Sequence, residues 1–232
     1  MKRFKLLIIA LFVVSVPLLI TTCYAPSDNN PIVNGNGIVE GKVFDNNGIG
    51  ISGVIVSCEG KQTVTSPNGE FLLKNVPAGN RRLVNFTKDD YSSNQKLLRI
   101  VDFKQSYTEA AMFPIGIVKN VSANASFNIA VNGASVNFQS NSLVDTKGNQ
   151  FTGQATIKLT YFDPFVSKFF DAFPGEFMGV EVGGTEVPIE SYGFIDVEMY
   201  SGSEKLQLAD GKPATVSIPI PAKLLANAPA TI

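Results

Sequence analysis

Residues 53–74 read GVIVSCEGKQTVTSPNGEFLLK and contain the clearest strand and turn signals in the chain. From Val54 to Cys58 every second residue is apolar, which is the period of a strand with one buried face. Asn68–Gly69 is the strongest short hairpin signal, because both central residues of a type I′ turn need positive φ. This stretch therefore predicts three strands, at 53–58, 61–65 and 70–74, with a hairpin at Asn68–Gly69 joining the last two.

The same pattern continues on both sides of this stretch. Upstream, the turn Asp45–Gly48 predicts that the strand at 53–58 pairs back on a strand at 38–44. Downstream, β-rich runs separated by turn residues follow at 82–87, 96–101 and 107–112. Parallel sheets need helical crossovers, and no helical periodicity interrupts these runs. We therefore predict an antiparallel β-sandwich over residues 37–116.

The second half of the chain has strand signals of its own. They fall at 134–138, 153–162, 177–182, 194–200 and 215–220. Val166–Phe170 and Ala222–Ala226 are at most single helical turns. The sequence thus predicts an all-β protein with two β-sandwich domains in tandem, 37–116 and 117–232, joined by a connector near 116–120. Ala228–Ile232 is typical of the start of another strand, so we expect the second domain to be incomplete at Ile232.

The first 22 residues have the layout of a secretory signal. Lys2, Arg3 and Lys5 precede fifteen uncharged residues, 6–20. A transmembrane anchor is the alternative, and it needs ~20 apolar residues. The polar turn-formers at 26–30 favour a cleaved signal over residues 1–22, followed by a polar linker over 23–36.

The end of this segment carries a lipidation signal. Ile20–Thr21–Thr22–Cys23 resembles the lipobox of bacterial lipoproteins, with Thr22 where that family prefers glycine, alanine or serine. The resemblance implies that Cys23 receives lipid on its thiol and becomes the N-terminus. Ordinary cleavage after Ala25 is the alternative, but it places Pro26 directly after the cut. We therefore predict lipid attachment at Cys23 and export to the bacterial cell envelope, with the outer membrane as the expected site.

The chain has only two cysteines, Cys23 and Cys58. If Cys23 is acylated, Cys58 has no disulfide partner; if Cys23 is not acylated, the two can bridge in an oxidising compartment. Cys58 shares the alternation of Val54 and Val56. The pattern predicts that Cys58 is a small buried side chain and not a reactive thiol.

Composition excludes several classes of function. Without residues 1–22, which carry three positive and no negative charges, 16 Lys and Arg face 20 Asp and Glu, a net charge of −4. We find no basic patch and expect no nucleic-acid partner. The chain has no histidine, so it lacks the usual ligand of zinc sites and the usual base of Ser/Cys–His nucleophile pairs. We predict no catalytic, metal or cofactor residues, although glycoside hydrolysis by paired carboxylates stays open.

Spaced turns in the first half carry a family resemblance. Gly41–Asp45, Gly53–Val56, Thr65–Phe71 and Val76–Gly79 together resemble the carboxypeptidase regulatory-like domain. This resemblance implies a transthyretin-like β-sandwich that serves as a spacer or recognition module. The second half, with GFIDVEM at residues 193–199 and GKPA at 211–214, is similar to ectodomain segments of cartilage intermediate layer proteins.

Two groups of residues are candidate sites. Asp163, Asp171 and Glu176 could supply oxygen ligands to calcium or form a glycosidase pair, but they lack the spacing of a dedicated calcium loop. We expect them to cap turns. A second group consists of phenylalanines, which form either an exposed interaction patch or a core that covers one end of a sandwich; we favour the core. Its members are Phe162, Phe165, Phe169, Phe170, Phe173 and Phe177.

Three functions agree with these observations. The first is a lipid-anchored, non-catalytic structural, adhesive or binding module of the cell envelope, with a glycan or another envelope protein as partner. The second is a carbohydrate-binding accessory protein of a polysaccharide-handling system. The third is the non-catalytic N-terminal part of a larger surface enzyme.

Overall fold

The computed structural model describes residues 35–175, 177–226 and 228. The predicted signal segment, Cys23 and Glu176 lie outside the described residues. All described residues belong to one compact unit. Apart from one helical turn, their regular structure consists of β-strands, which confirms the all-β prediction. No helix in the described part is long and apolar enough to span a membrane.

The first half of the chain forms seven strands. These are β1 (Asn36–Phe44), β2 (Ile55–Cys58), β3 (Lys61–Val64), β4 (Glu70–Pro77), β5 (Gly79–Thr87), β6 (Asn94–Ile100) and β7 (Gln105–Ala111). Sheet A has the order β4-β1-β7, and sheet B has the order β3-β2-β5-β6. One hydrophobic core, which includes Val39, Leu73 and Phe86, contains side chains from both sheets. The predicted strands and the β-sandwich are therefore confirmed here.

The strand pairing within this sandwich differs from the prediction. Strand β2 pairs with β3 and β5, and not with β1. Strand β1 pairs with β4 in antiparallel and with β7 in parallel, so the prediction of a wholly antiparallel sandwich was wrong. The connection between β1 and β7 runs through the strands of sheet B and needs no helix. The Asn68–Gly69 turn is also not a hairpin, because β3 and β4 belong to different sheets. The predictions that β2 pairs with β1 and that β3 and β4 form a hairpin were wrong for one reason: the segments that follow β1 and β3 carry the chain from one sheet to the other.

Two glycines are required by close backbone approach. Gly41 lies where β1 passes β7, and a Cβ there would clash with the carbonyl oxygen of Thr108. Gly69 has a φ of +81°, and a Cβ there would clash with the carbonyl oxygen of Val43. A side chain at either position would push the strands of sheet A apart or strain the turn.

The second half of the chain forms a second layered arrangement. Its strands are β8 (Ile117–Ser122), β9 (Phe127–Val131), β10 (Ala134–Phe138), β11 (Leu143–Val144), β12 (Gln154–Phe162), β13 (Met178–Val180), β14 (Glu186–Pro188), β15 (Phe194–Ser201), β16 (Glu204–Lys205), β17 (Gln207–Leu208) and β18 (Thr215–Ser217). Sheet C has the order β16-β15-β12-β8, and sheet D has the order β18-β10-β9. Two pairs, β11-β17 and β13-β14, stand apart from them. A core that includes Ile129, Ile157 and Leu206 contains side chains from sheets C and D.

The connector predicted at 116–120 is mostly strand. Strand β8 begins at Ile117 and pairs with β12, so the chain enters sheet C almost directly after the first sandwich. Strand β9 (Phe127–Val131) was not predicted, although Phe127, Ile129 and Val131 alternate with smaller or polar residues. Strand β7 ends at Ala111 and β8 begins at Ile117, and the domain boundary predicted at residue 116 stays a prediction. The independence of the two halves stays a prediction.

A segment over 163–175 contacts both halves. It contains one helical turn, α1 (Phe169–Ala172), which begins three residues after the start of the turn considered at Val166–Phe170. Phe169 and Phe162 are buried with Phe113 in a third apolar cluster, at the end of the first sandwich. The Asn94 Nδ2 group donates hydrogen bonds to three carbonyl oxygens, those of Ala111 (2.7 Å), Asp171 (3.0 Å) and Ala172 (3.2 Å).

Lys168 strengthens the same junction. Its Nζ lies 3.4 Å from the Glu109 carboxylate, 3.0 Å from the Asp171 carboxylate and 4.1 Å from the ring centroid of Phe44. Glu109 and Phe44 belong to sheet A, whereas Lys168 and Asp171 belong to the 163–175 segment. This arrangement ties the segment to the first sandwich by charge as well as by apolar contact.

Candidate binding cleft

A cleft of about 480 Å³ lies where the outer side of sheet B meets the outer side of sheet C. Sheet B and the loop after β5 contribute one side, and sheet C contributes the other. The lining residues are Gly53, Ile55, Asn85, Thr87, Lys88, Asp89, Tyr91, Ser93, Asn94, Gln95, Lys158, Glu198, Tyr200 and Lys205. Rigid strands therefore hold most of the polar side chains that face this space.

The alternation of β15 places its polar side chains on the cleft side. Val197 and Met199 pack against the core of the second half. Asp196, Glu198 and Tyr200 are on the opposite face, because successive side chains of a strand point to opposite sides. Register with β12 places Lys158 beside Glu198 and Thr156 beside Tyr200.

Glu198 is a buried carboxylate in the cleft. It is only 7% exposed, and its Oε1 accepts a hydrogen bond of 2.9 Å from the Ser93 hydroxyl. Ser93 belongs to the first half, so this bond spans 105 residues of sequence. Burial, together with the charge and hydrogen bond of Glu198, raises the pKa of Tyr200 above its ordinary value. The Glu198 carboxylate is thus held by a group from each half of the chain.

Asp196 lies two residues before Glu198 on the same face. Burial, followed by the negative charge of Glu198, raises the pKa of the Asp196 carboxyl to about 6, while Lys205 opposes the shift. Two carboxyl groups on one buried strand face repel each other when both are ionised. Asp196 therefore takes up a proton in mildly acidic solution.

Three lysines supply positive charge to the cleft. Lys158 Nζ lies 5.3 Å from the ring centroid of Tyr200, and Lys88 and Lys205 stand on opposite sides of the opening. None of the three forms a salt bridge with another described residue. Together with Asn85 and Gln95, they offer hydrogen-bond donors to a ligand. The arrangement suits a ligand that carries hydroxyl groups and is bound by several polar side chains beside two tyrosine rings.

The two described members of the acidic group predicted from sequence, Asp163 and Asp171, have separate structural roles. Asp163 accepts a hydrogen bond from the backbone N–H of Phe165 and caps a turn, and Asp171 pairs with Lys168. Glu176 lies outside the described residues. Among the residues that the structure describes, no three metal-ligating side chains come together.

The six phenylalanines are divided between core and surface. Phe162 and Phe169 are buried, as the core interpretation predicts, and Phe173 and Phe177 are half-buried. Phe165 and Phe170 are exposed, by 52% and 66%. The prediction was therefore right for one part of the group and wrong for these last two residues.

Of the two cysteines, only Cys58 can be compared with its prediction. Cys58 is free and buried in the first core, which confirms the expectation of a buried thiol. Burial, and then the neighbouring charge of Glu59, raises the pKa of the thiol. Lipid attachment at Cys23 stays a prediction, because Cys23 lies outside the described residues.

The sequence did hold a signal for the cleft, in residues 193–200. GFIDVEMY alternates apolar Ile195, Val197 and Met199 with Asp196, Glu198 and Tyr200. From this alternation the polar face of β15 can be predicted. The alternation does not give the other side of the cleft, which comes from residues about 100 positions earlier in the chain.

Comparisons with known proteins give limited information. No protein-family model matches this sequence, and no curated protein matches it either. A chain of a type II cohesin–X–dockerin complex from Acetivibrio cellulolyticus is 22% identical, covering 35% of this chain and 60% of its own, with a TM-score of 0.30.

Two further solved structures align over more of this chain. The Bacillus anthracis TIE protein is 10% identical, covering 67% of this chain and 31% of its own, with a TM-score of 0.31. A candidate carbohydrate-binding protein of Bacteroides uniformis is 10% identical, covering 78% and 98%, with a TM-score of 0.28. The alignment spans less than two thirds of the Acetivibrio and Bacillus chains. At TM-scores near 0.3, these similarities assign neither a family nor a ligand to this chain.

Proposed function

We propose that this chain is an exported, lipid-anchored protein of the bacterial cell envelope that serves as a non-catalytic binding module. The observation that carries the proposal is the cleft between sheets B and C. Its polar groups are fixed before any ligand arrives, since Glu198 is held by Ser93 and the strands hold Asn85, Gln95 and Lys158. Preorganised groups of this kind lower the entropic cost of binding.

The anchoring part of the proposal rests on the sequence. The basic and apolar segment before Ile20–Cys23 has the form of a lipoprotein signal, and the linker over 23–36 separates the cysteine from β1. Several acyl chains, each adding ~0.8 kcal/mol per buried methylene, hold a protein at a membrane in an effectively permanent way. The resemblance of residues 37–116 to the carboxypeptidase regulatory-like domain supports a recognition or spacer role for the first sandwich.

A carbohydrate is the second, more specific proposal for the ligand. The observation that favours it is the combination of side-chain amides, a fixed carboxylate and two tyrosine rings on one cleft. These are the groups that hydrogen-bond sugar hydroxyls and pack against the apolar face of a sugar ring. A role in structure or adhesion would not need such a cleft.

Co-sedimentation with insoluble glycans tests this function. The processed protein, Cys23–Ile232 with Cys23→Ser, is mixed with insoluble plant and bacterial wall polysaccharides, and the bound fraction is measured. We expect one glycan class to retain the parent and the control variant Tyr107→Ala, which changes an exposed tyrosine outside the cleft. Tyr200→Ala should lose most of this binding. If the glycan retains Tyr200→Ala as well as it retains Tyr107→Ala, the cleft is not the binding site. If no glycan retains the parent or either variant, the glycan proposal is contradicted.

A further inference from the structure

Strands β13 and β14 form a two-stranded ribbon that pairs with no other described strand. Its apolar side chains face solvent: Met178 and Ile189 are 44% exposed, and Val180 is 70% exposed. Val182, at the turn of the ribbon, is fully exposed. Two-stranded ribbons are marginally stable by themselves, and contiguous exposed apolar surface usually marks an interaction site. The ribbon therefore has the properties of a docking element.

The sequence on both sides of the ribbon carries only negative charges. Between Phe169 and Glu204 the sequence has eight acidic residues and no Lys or Arg. Glu181 and Glu186 lie on the ribbon itself, and both are exposed. An acidic ribbon is repelled by anionic lipid headgroups and by phosphates. The favoured partner is an apolar protein surface with a positive rim.

The outer side of sheet B is such a surface. Val64, Ile55, Leu83 and Leu97, one from each of its four strands, are 40–54% exposed. Cross-strand register pairs Ile55 with Val64 and Leu83 with Leu97. Arg81 is exposed two residues before Leu83 on β5. The acid at this end of the sheet, Glu59, is already paired with Arg82 at 3.3 Å.

We infer that the ribbon of one molecule docks on the outer side of sheet B of a second molecule. Met178 and Val180, which share one face of the ribbon with Glu186, cover the apolar side chains of sheet B, and the acidic turn of the ribbon meets the end of sheet B that carries Arg81. Because the two surfaces are different parts of one chain, the contact is head-to-tail and can repeat from copy to copy. The docking surface shares Ile55 with the cleft, so both lie on the outer side of sheet B.

Charge reversal tests the inference in sedimentation-velocity experiments on the processed protein, Cys23–Ile232 with Cys23→Ser. The parent should show a sedimentation coefficient that rises with concentration at low salt and falls as salt is added. Two charge-reversal variants should each weaken association by roughly tenfold or more. The ribbon variant is Glu181→Lys with Glu186→Lys, and the sheet variant is Arg81→Glu with Gln62→Glu. The control, Glu204→Lys with Asp210→Lys, makes the same net charge change as the ribbon variant at exposed positions that belong to neither surface.

Mixing the two variants gives the sharpest outcome. The basic ribbon of one variant then meets the acidic sheet of the other, and the remaining parental surfaces match as well, so association should return. Far-UV circular dichroism checks that each variant keeps its strand content. A parent that stays monomeric at all concentrations, variants that associate as the parent does, or a mixture that fails to associate would each overturn the inference. Binding of the parent to anionic vesicles through the ribbon would overturn it as well.

Discussion

At the scale of single residues, the two most unusual environments belong to Asp196 and Cys58. Asp196 is a carboxyl group on a half-buried strand face beside a second carboxylate, and Cys58 is a thiol inside an apolar core. In both cases burial is the largest cause of a raised pKa. The consequences differ, because Asp196 titrates in an accessible pH range whereas Cys58 remains a neutral thiol.

Asp196→Asn should remove a pH dependence of stability. An acid whose pKa is raised on folding binds more protons when folded, so its contribution falls as pH rises from 3.8 to about 6. We expect the parent to lose up to about 3 kcal/mol of unfolding free energy across this window. Urea denaturation at several pH values measures it, with the exposed Asp210→Asn as control. An unchanged pH slope in Asp196→Asn would contradict this assignment.

Cys58→Ala should lower the unfolding free energy by about 1 kcal/mol, because it leaves a small cavity in the first core. The buried thiol should also react slowly with a thiol reagent in the native protein and rapidly once it is unfolded. The control is Ser57→Ala, on the neighbouring half-buried position of β2. Rapid modification of Cys58 in the folded protein would show that the thiol is accessible.

At the scale of elements, the segment over 163–175 decides how the two halves meet. It contributes Phe169 to the third apolar cluster, and Lys96 Nζ donates a 2.7 Å hydrogen bond to the carbonyl oxygen of Phe173. Burial lowers the pKa of Lys96, although the charge of Asp171 opposes this. Three consecutive carbonyl groups of the segment, at 171–173, accept hydrogen bonds from the side chains of Asn94 and Lys96 in the first sandwich.

Asn94→Ala should weaken this junction. Asn94 is buried and serves three carbonyl oxygens, so its loss leaves buried acceptors without donors and should cost about 2–3 kcal/mol. Proteolysis within 163–175 should become faster than in the parent. Asn137→Ala is the control, since its side chain bonds the exposed Asn128. If the two variants lose the same small amount of stability, the junction does not depend on Asn94.

The sequence predicted most strands of the first sandwich but not their order in the sheets. Alternation from Val54 to Cys58 is local information, and it sufficed to locate β2. Strand pairing depends on residues that are distant in sequence. Asn68–Gly69 has the sequence of a hairpin turn, yet β3 and β4 on either side of it belong to different sheets. Strand β8 escaped prediction because three of its six residues, Val118–Asn120, are exposed and two of those three are polar or charged.

At the scale of the whole molecule, the binding cleft exists only because two sandwiches meet. Ser93 and Glu198 are in hydrogen-bond contact although 105 residues separate them. No turn or periodicity encodes such a contact, so the sequence could supply only the polar face of β15. The proposed lipid anchor belongs to this scale too, because it would set where the cleft is presented.

Metabolic labelling with a clickable fatty acid tests the anchor. The parent should be labelled and should fractionate with membranes, because the predicted signal ends at Cys23. Cys23→Ser should lose the label and be released. Cys58→Ala is the matched control and should label as the parent does. Labelling of Cys23→Ser at the parental level would contradict acylation at this residue.

Lysine footprinting of the ligand-bound protein tests the central proposal most directly. The processed protein is modified with an amine-reactive reagent, free and bound to the glycan that retains it, and each site is quantified by mass spectrometry. We predict that Lys88, Lys158 and Lys205 become protected on binding, whereas Lys61 and Lys147, exposed and outside the cleft, keep their rates. Unchanged rates at the three cleft lysines, with protection elsewhere, would contradict the assignment of the cleft as the binding site.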